Sequence, residues 1–173
     1  RTFLPSDGDD HSINSGRIHQ ILEDSFNNLW LAASSGGINK VRLNPGRFSH
    51  LQRDASTNSA LPNNYVNVIR KDGLYNQLFI GTRNGFSRYN TRLKHYDNFL
   101  NRSLQGNATG VDVAALDVGS EAVWIGTRCN GLYLLDRKSG HTLKSLPPIP
   151  GYKPWNYMSI ESIITDKHQQ VWV

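Results

Sequence analysis

One hairpin is written three times in this chain: "LWLAASSGGINKV" at 29–41, "LFIGTRNGFSRY" at 78–89 and "VWIGTRCNGLYLL" at 123–135. Each copy runs from an apolar stretch carrying an aromatic, through small residues and a polar tip, to a Gly and a second alternating stretch. Self-similarity at a fixed period constrains a fold more than any local signal, because it dictates the architecture as well as the elements. The aromatic column holds Trp30, Phe79, Trp124 and Trp172, spaced by 49, 45 and 48 residues. The Gly that opens the second strand of the hairpin recurs as Gly37, Gly85 and Gly131, spaced by 48 and 46. Six or seven residues ahead of each aromatic stands an acid: Asp24, Asp72, Asp117 and Asp166. Six before each acid lie Ile18, Val66, Val111 and Ile160, and three before it lie Ile21, Ile69, Ala114 and Ile163. Five columns in register, four of them over four copies and the Gly column over three, specify one structural unit, repeated.

Each unit reads as four strands. The first is "GRIHQILED", "YVNVIRKD", "VDVAALD" or "SIESIITD", apolar at odd and even offsets, as in a strand covered on both faces. The Asp closes it, placed to accept backbone N–H groups in the turn. The second strand carries the aromatic, the third follows the Gly, and the fourth ("RFSHLQR", "LKHYDNF", "HTLKSLP") is more polar and therefore outermost. No segment holds a 3.6-residue period with caps, so no helix is expected. A four-stranded repeat of this length matches a β-propeller blade. The expected fold is all-β: blades of four antiparallel strands in an incomplete arc of about three and a half blades. Residues 1–12 read as the tail of a preceding blade, 13–64, 65–109 and 110–159 as full blades, and 160–173 as the first two strands of a further one. All belong to one propeller domain. Such an arc leaves unpaired edges and uncovered blade faces. Two copies sum to about seven blades, within the usual four to eight, so self-association as a dimer is expected.

Composition narrows the function classes. The formal charge is +5, yet the Lys and Arg are dispersed with no run longer than "RK", so no nucleic-acid partner is expected. The single Cys129 excludes an internal disulfide and a Cys-based zinc site. No stretch approaches the roughly 18 apolar residues of a membrane helix. The chain opens "RTFLPSDGDD" without Met and closes "QQVWV", which reads as a piece of a longer protein. Any membrane association would come through other parts of that protein.

The segment "IHQILEDSFNNLWLAASSGGINKV" (18–41) closely resembles the two-component regulator propeller repeat, whose pattern is an Ile/Val strand, "eDs.GnLWiGT", a short polar turn and "GGlnr". The later copies keep the Asp, the aromatic and "IGT" or its start, and depart from the pattern at "DGLYNQLF" and "DVGSEAVW". The resemblance covers about residues 13–173. It implies a non-catalytic, ligand-sensing region in the periplasm or otherwise outside the cytoplasm. The parent would be an inner-membrane receptor with further blades, a β-sandwich, a membrane helix and a histidine kinase or GGDEF-type diguanylate cyclase. WD-type blades match less well, since their Trp-Asp pair is absent. The "DSFNNLW" turn is similar to the Asp-box of sialidases, which is a folding motif.

Ligands of propellers sit over the central channel, on the face built by the links into first strands and by the turns between second and third strands. Those links supply Arg17, Asn64, Tyr65, Gly110 and Tyr157–Ser159; the turns supply Ser34–Ser35, Arg83–Asn84 and Arg128–Asn130. Candidate ligand-binding residues are thus Arg17, Asn64, Tyr65, Arg83, Asn84, Arg128, Asn130 and Tyr157. Arg83 and Arg128 share one column after "GT", and planar guanidinium forks recognise carboxylate or phosphate. Tyr65 offers a stacking face. The expected partner is a small ligand, anionic or a saccharide; the bland alternative is that these Arg are solvated hairpin tips. One step into the first strand, His19, Asn67, Asp112 and Glu161 either line the channel or bond neighbouring strands.

Neither a metal nor a cofactor is expected. His50, His95 and His141 share an outer-strand column, but outer strands of neighbouring blades splay too far apart to share one ion at about 2 Å. Asp7, Asp9 and Asp10 in "SDGDD" lack the Gly and Glu placement of a calcium loop. "NRS" and "NAT" at Asn101 and Asn107 fit a glycosylation sequon, which matters only in a secreted eukaryotic protein. Catalysis needs an activated nucleophile, paired carboxylates or a metal, and no spacing ties such groups together. The rival readings are a protein-interaction scaffold and, behind it, a hydrolase or lyase.

Overall fold

The computed structural model describes residues 3–6, 8–9, 11–42, 48–54, 56–57, 59–72, 75–100, 110–146 and 159–173. The described residues are all-β, with no helix. The first sheet runs β1 (Ile18–Glu23), β2 (Asn28–Ala33), β3 (Ile38–Arg42) and β4 (Phe48–Leu51), each strand antiparallel to the next. The second repeats it with β5 (Val66–Lys71), β6 (Gln77–Thr82), β7 (Gly85–Asn90) and β8 (His95–Phe99). The third has β9 (Val113–Val118), β10 (Ala122–Thr127), β11 (Leu132–Asp136) and β12 (Thr142–Leu146). A two-stranded sheet follows, β13 (Ile164–Thr165) with β14 (Val171–Trp172). β1 lies against β5 and β5 against β9, so the first strand of each blade is innermost and the arc curves around them.

The core lies between blades rather than within them. Trp30, Ala32 and Ile38 of the first sheet meet Val66, Ile69, Leu78 and Ile80 of the second. Val68, Phe79 and Phe86 of the second meet Val113, Leu116 and Ile125 of the third. A side chain of this size contributes about 1.5–3 kcal/mol when fully buried, so each blade is stabilised chiefly by its neighbour. Exposure follows suit: Trp30 and Phe79 are 1% exposed, whereas Trp172 in the same column is 62% exposed. Ile21 is likewise 62% exposed where Ile69 is fully buried. The first strand is thus covered on both faces only where a sheet stands on each side, which corrects the two-faced expectation for β1.

The small residues of "IGT" set the spacing between blades. A Cβ on Gly81 would stand 2.6 Å from Val113 Cγ1, and one on Gly126 would stand 2.4 Å from Ile160 Cγ2. Gly at these two places lets the next blade's innermost strand come close. The Thr that follows ties the hairpin tip: Thr82 Oγ1 donates to the Gly85 carbonyl and accepts from Asn84 N–H, and Thr127 does the same with Gly131 and Asn130.

The Asp column divides in two. Asp24 accepts from the N–H groups of Phe26 (2.8 Å) and Asn28 (3.0 Å) and from Trp30 Nε1 (2.9 Å). Asp166 repeats this with His168, Gln170 and Trp172. In the middle blades the aromatic stands seven residues away instead of six, and the partners change. Asp117 Oδ2 accepts Thr165 N–H at 2.8 Å, bonding across to the next blade and not closing its own turn, contrary to the turn-cap expectation. In blade two the aromatic is Phe79, which has no N–H to give. The buried Asp72 is ion-paired with Arg137 Nη2 of blade three. The Arg137 guanidinium lies over Tyr75 and Phe79 and donates to the carbonyls of Gly119 and Ser120.

Candidate functional site

One rim of the arc carries the turns between second and third strands together with the links into first strands. Backbone bonds fix this upper rim. Ser34, Arg83 and Arg128, each just beyond a second strand, donate N–H to the carbonyls of Arg17, Tyr65 and Asp112. Gly37 donates to Asn64, at the link into the following blade, and Gly85 to Val111 of the blade after its own, both at 2.7 Å. Gly37 adopts φ 85°, and a Cβ there would lie 2.2 Å from the Leu51 carbonyl oxygen, so the Gly column is a backbone requirement.

On this rim the Arg83 guanidinium lies over the Tyr65 ring, 3.6 Å from its centroid. The other side of the cluster is His19, whose ring centroid is 5.3 Å from that of Tyr65 and whose Nε2 is 3.0 Å from Ser34 Oγ. Burial first, then the charges of Arg17, Arg128 and Arg83, hold the His19 pKa below its usual 6.5. Three guanidinium groups from three blades therefore act on one imidazole. Arg128 is half-buried, with Nη2 3.7 Å from Glu161 Oε2, and its Nε has no hydrogen-bond partner among the described residues. The result is a cationic patch with an aromatic surface and a ring nitrogen, suited to a carboxylate, sulfate or phosphate.

The eight candidate residues separate accordingly. Arg17, Tyr65, Arg83 and Arg128 share the electrostatic neighbourhood of His19. Asn64 serves the backbone: its Oδ1 accepts Arg53 N–H at 2.6 Å and its carbonyl accepts Gly37 N–H. Asn84 packs against Gly110, where a Cβ would lie 1.7 Å from its Oδ1. Asn130 is exposed at its hairpin tip. Tyr157 lies outside the described residues, as do Asp7, Asp10, Asn101 and Asn107.

In the first-strand polar column, Asn67 Nδ2 donates to Asp112 Oδ1 and to the Val113 carbonyl, both at 2.8 Å, and so bonds neighbouring strands. His19 joins the rim cluster instead. Its partner Tyr65 enters from the next blade, a proximity that spacing within one repeat does not reveal. The three histidines of this column lie at different sheets, with His50 in β4, His95 in β8 and His141 just before β12: His50 Nε2 is 3.0 Å from the Ser12 carbonyl oxygen, and His95 Nε2 is 3.3 Å from Asp97 Oδ1. Asp9 Oδ1 accepts the His11 N–H within its own turn.

No family model matches the chain, and no curated protein matches it. Solved structures match in fold. The extracellular domain described for the hybrid two component system BT3049 from B. thetaiotaomicron superposes with a TM-score of 0.76 at 15% identity, over 98% of this chain and 22% of that one. The extracellular domain of BT4673 from the same organism, described as a one component system, gives 0.68 at 19% identity, over 91% and 19%. The computationally designed Ika4 protein gives 0.60 at 14% identity, over 99% and 96%. The chain spans about a fifth of the length of the two extracellular domains. At these identities what is common is the fold.

Proposed function

We propose that this chain is part of the extracytoplasmic, ligand-sensing propeller of a bacterial membrane signalling receptor, and is not itself catalytic. The likeness to the extracellular domains of BT3049 and BT4673 supports the setting. The observation that carries the reading is the Arg83 guanidinium stacked on Tyr65 beside His19, an imidazole on which the charges of Arg17 and Arg128 also act. Like charges gathered on a rim repel one another until an anion arrives, so an anionic small molecule or an acidic saccharide is the ligand class proposed. Tyr65 supplies a face for its ring. The cluster draws on three blades, so a bound anion links them. Such a ligand shifts a receptor between two states only by its difference in affinity for them, and a multi-blade site supplies that difference if the blades move relative to one another. The output module of the parent receptor is proposed as a histidine kinase or a diguanylate cyclase, read from the repeat resemblance.

The test is calorimetric titration of the chain with matched acidic and neutral saccharides and with small dicarboxylates. An acidic ligand that binds the wild type and loses about tenfold or more in affinity with Arg83→Ala or Arg128→Ala supports the site. Ligands that bind both variants as tightly as the wild type place recognition elsewhere and overturn the reading.

A further inference from the structure

On the opposite rim, where first strands turn into second strands and third into fourth, a groove separates blades one and two. It encloses about 490 Å³ and is lined by Asp24, Phe26, Lys40, Arg42, Asn76 and Arg92, among others. This volume falls in the range of small-ligand sites, about 300–1,000 Å³. A much smaller pocket of about 20 Å³ shares Asp24, Phe26, Asn76 and Thr91 with it and is lined also by Leu78.

The charges of the groove are unbalanced in a specific way. Lys40 and Arg42 stand two apart on β3 and therefore on one face, opposite Trp30 and Asn28 of β2. Arg92 approaches from the turn between β7 and β8. None of the three has an acidic ion-pair partner among the described residues. Asp24, the one acid in the lining, already holds the N–H groups of Phe26 and Asn28, the Asn28 amide and the Trp30 indole. Lys40 lies 4.8 Å from the Trp30 ring centroid. Its pKa is held below the usual lysine value by burial, against the opposing pull of Asp24 and with further lowering from Arg42 and Lys94. Phe26, 70% exposed, offers a bare aromatic face to the same groove.

We infer that this groove is a second binding site, for an acidic oligosaccharide that sets sulfate or uronate groups on Arg42 and Arg92 and a sugar ring on Phe26. Two planar forks and an ammonium suit several anionic groups spaced along a chain better than one compact ion. The exposed ring gives the ligand an apolar contact that inorganic sulfate lacks. The site rests on side chains separate from the upper rim, so either can fail alone.

The experiment is an NMR titration of the chain with a heparin-derived tetrasaccharide, following the Trp30 indole N–H and the Lys40 side chain. Neutral maltotetraose, inorganic sulfate and anionic phospholipid vesicles serve as comparisons. Expected are saturable shifts at Trp30 and Lys40 with the tetrasaccharide, none with maltotetraose, and affinity far below it for sulfate. The double variant Arg42→Gln/Arg92→Gln should weaken binding at these reporters at least about tenfold, and Phe26→Ala should weaken it severalfold. Removal of one exposed charge elsewhere, Lys144→Gln, should leave it unaltered. Arg42, Arg92 and Phe26 are all exposed, so the variants should fold as the wild type does. Four results would each overturn the inference. They are shifts confined to His19 and Tyr65, full binding by the double variant, sulfate binding as tightly as the tetrasaccharide, and vesicle binding without oligosaccharide binding.

Discussion

Arg137→Met tests how the middle blades are held together. The Arg137 and Asp72 side chains are 7% and 1% exposed, and the pair joins blade three to blade two. Removing one partner of a buried ion pair costs about 3–5 kcal/mol, because the charge left behind has no solvent to replace it. Met keeps the apolar stem against Tyr75 and Phe79, so the loss reports chiefly the guanidinium. The carbonyls of Gly119 and Ser120 also lose a donor, but both residues are exposed and water can replace it at small cost. The expected change is therefore about 3–5 kcal/mol in urea unfolding at unchanged slope, or roughly 6–20 °C in Tm for a chain of this size. Glu161→Gln is the reference, since its contact with Arg128 is 3.7 Å long and Glu161 is 64% exposed; it should cost no more than about 1 kcal/mol. In a cycle with Asp72→Asn, the two buried changes should couple by about 1–3 kcal/mol. An Arg137→Met loss as small as that of Glu161→Gln, or a cycle without coupling, would refute the reasoning.

Gly37→Ala should cost more than about 2 kcal/mol, because it forces a side chain into the left-handed region and against the Leu51 carbonyl. Gly8→Ala, at φ 81° with open space around it, should cost only about 1–2 kcal/mol; equal losses in thermal unfolding would contradict the close-approach explanation. Burial alone would raise the Asp24 pKa, but hydrogen bonds from Trp30, Asn28 and Phe26 outweigh it and bring it below 3.8. A carboxylate lowered in the folded state stabilises fully above its unfolded pKa, so its contribution should persist above about pH 5 and fade as pH drops through 3.8 and below. Urea midpoints of Asp24→Asn should accordingly converge on the wild type in acid, and a constant gap down to pH 2 would speak against it. Light scattering should detect dimers that grow with concentration, through the faces carrying Ile21, Ile164 and Trp172, each over 60% exposed. A monomer at every concentration, or a dimer indifferent to Trp172→Ser, would exclude that interface.

The architecture was legible because the repeat fixes it: the columns of Trp30, Gly37 and their counterparts mark positions where every blade needs the same geometry. The reason for "IGT" was only partly legible: Val68 presses on Gly81 from its own blade, but Val113 on Gly81 and Ile160 on Gly126 come from the next blade, about 30 residues onward in sequence. The same limit hid Arg137. Phe79 has no indole N–H to offer, and only packing between blades brings the Arg137 guanidinium to Asp72. On the upper rim, Arg83 and Tyr65 were found from their places in the repeat, while His19 joined them only through the curvature of the arc. The lower groove was invisible for a related reason: Arg42 ends β3 of blade one, Arg92 sits in the turn between β7 and β8 of blade two, and the two share no column.

The most direct measurement is the titration of the His19 ring by NMR, with and without an acidic ligand. Burial, with the charges of Arg17, Arg128 and Arg83, predicts a pKa below 6.5 in the free chain, a rise when the anion binds, and a smaller rise in Arg83→Ala. An imidazole with an ordinary pKa, indifferent to every anion that binds the chain, would contradict the upper rim as the sensing site.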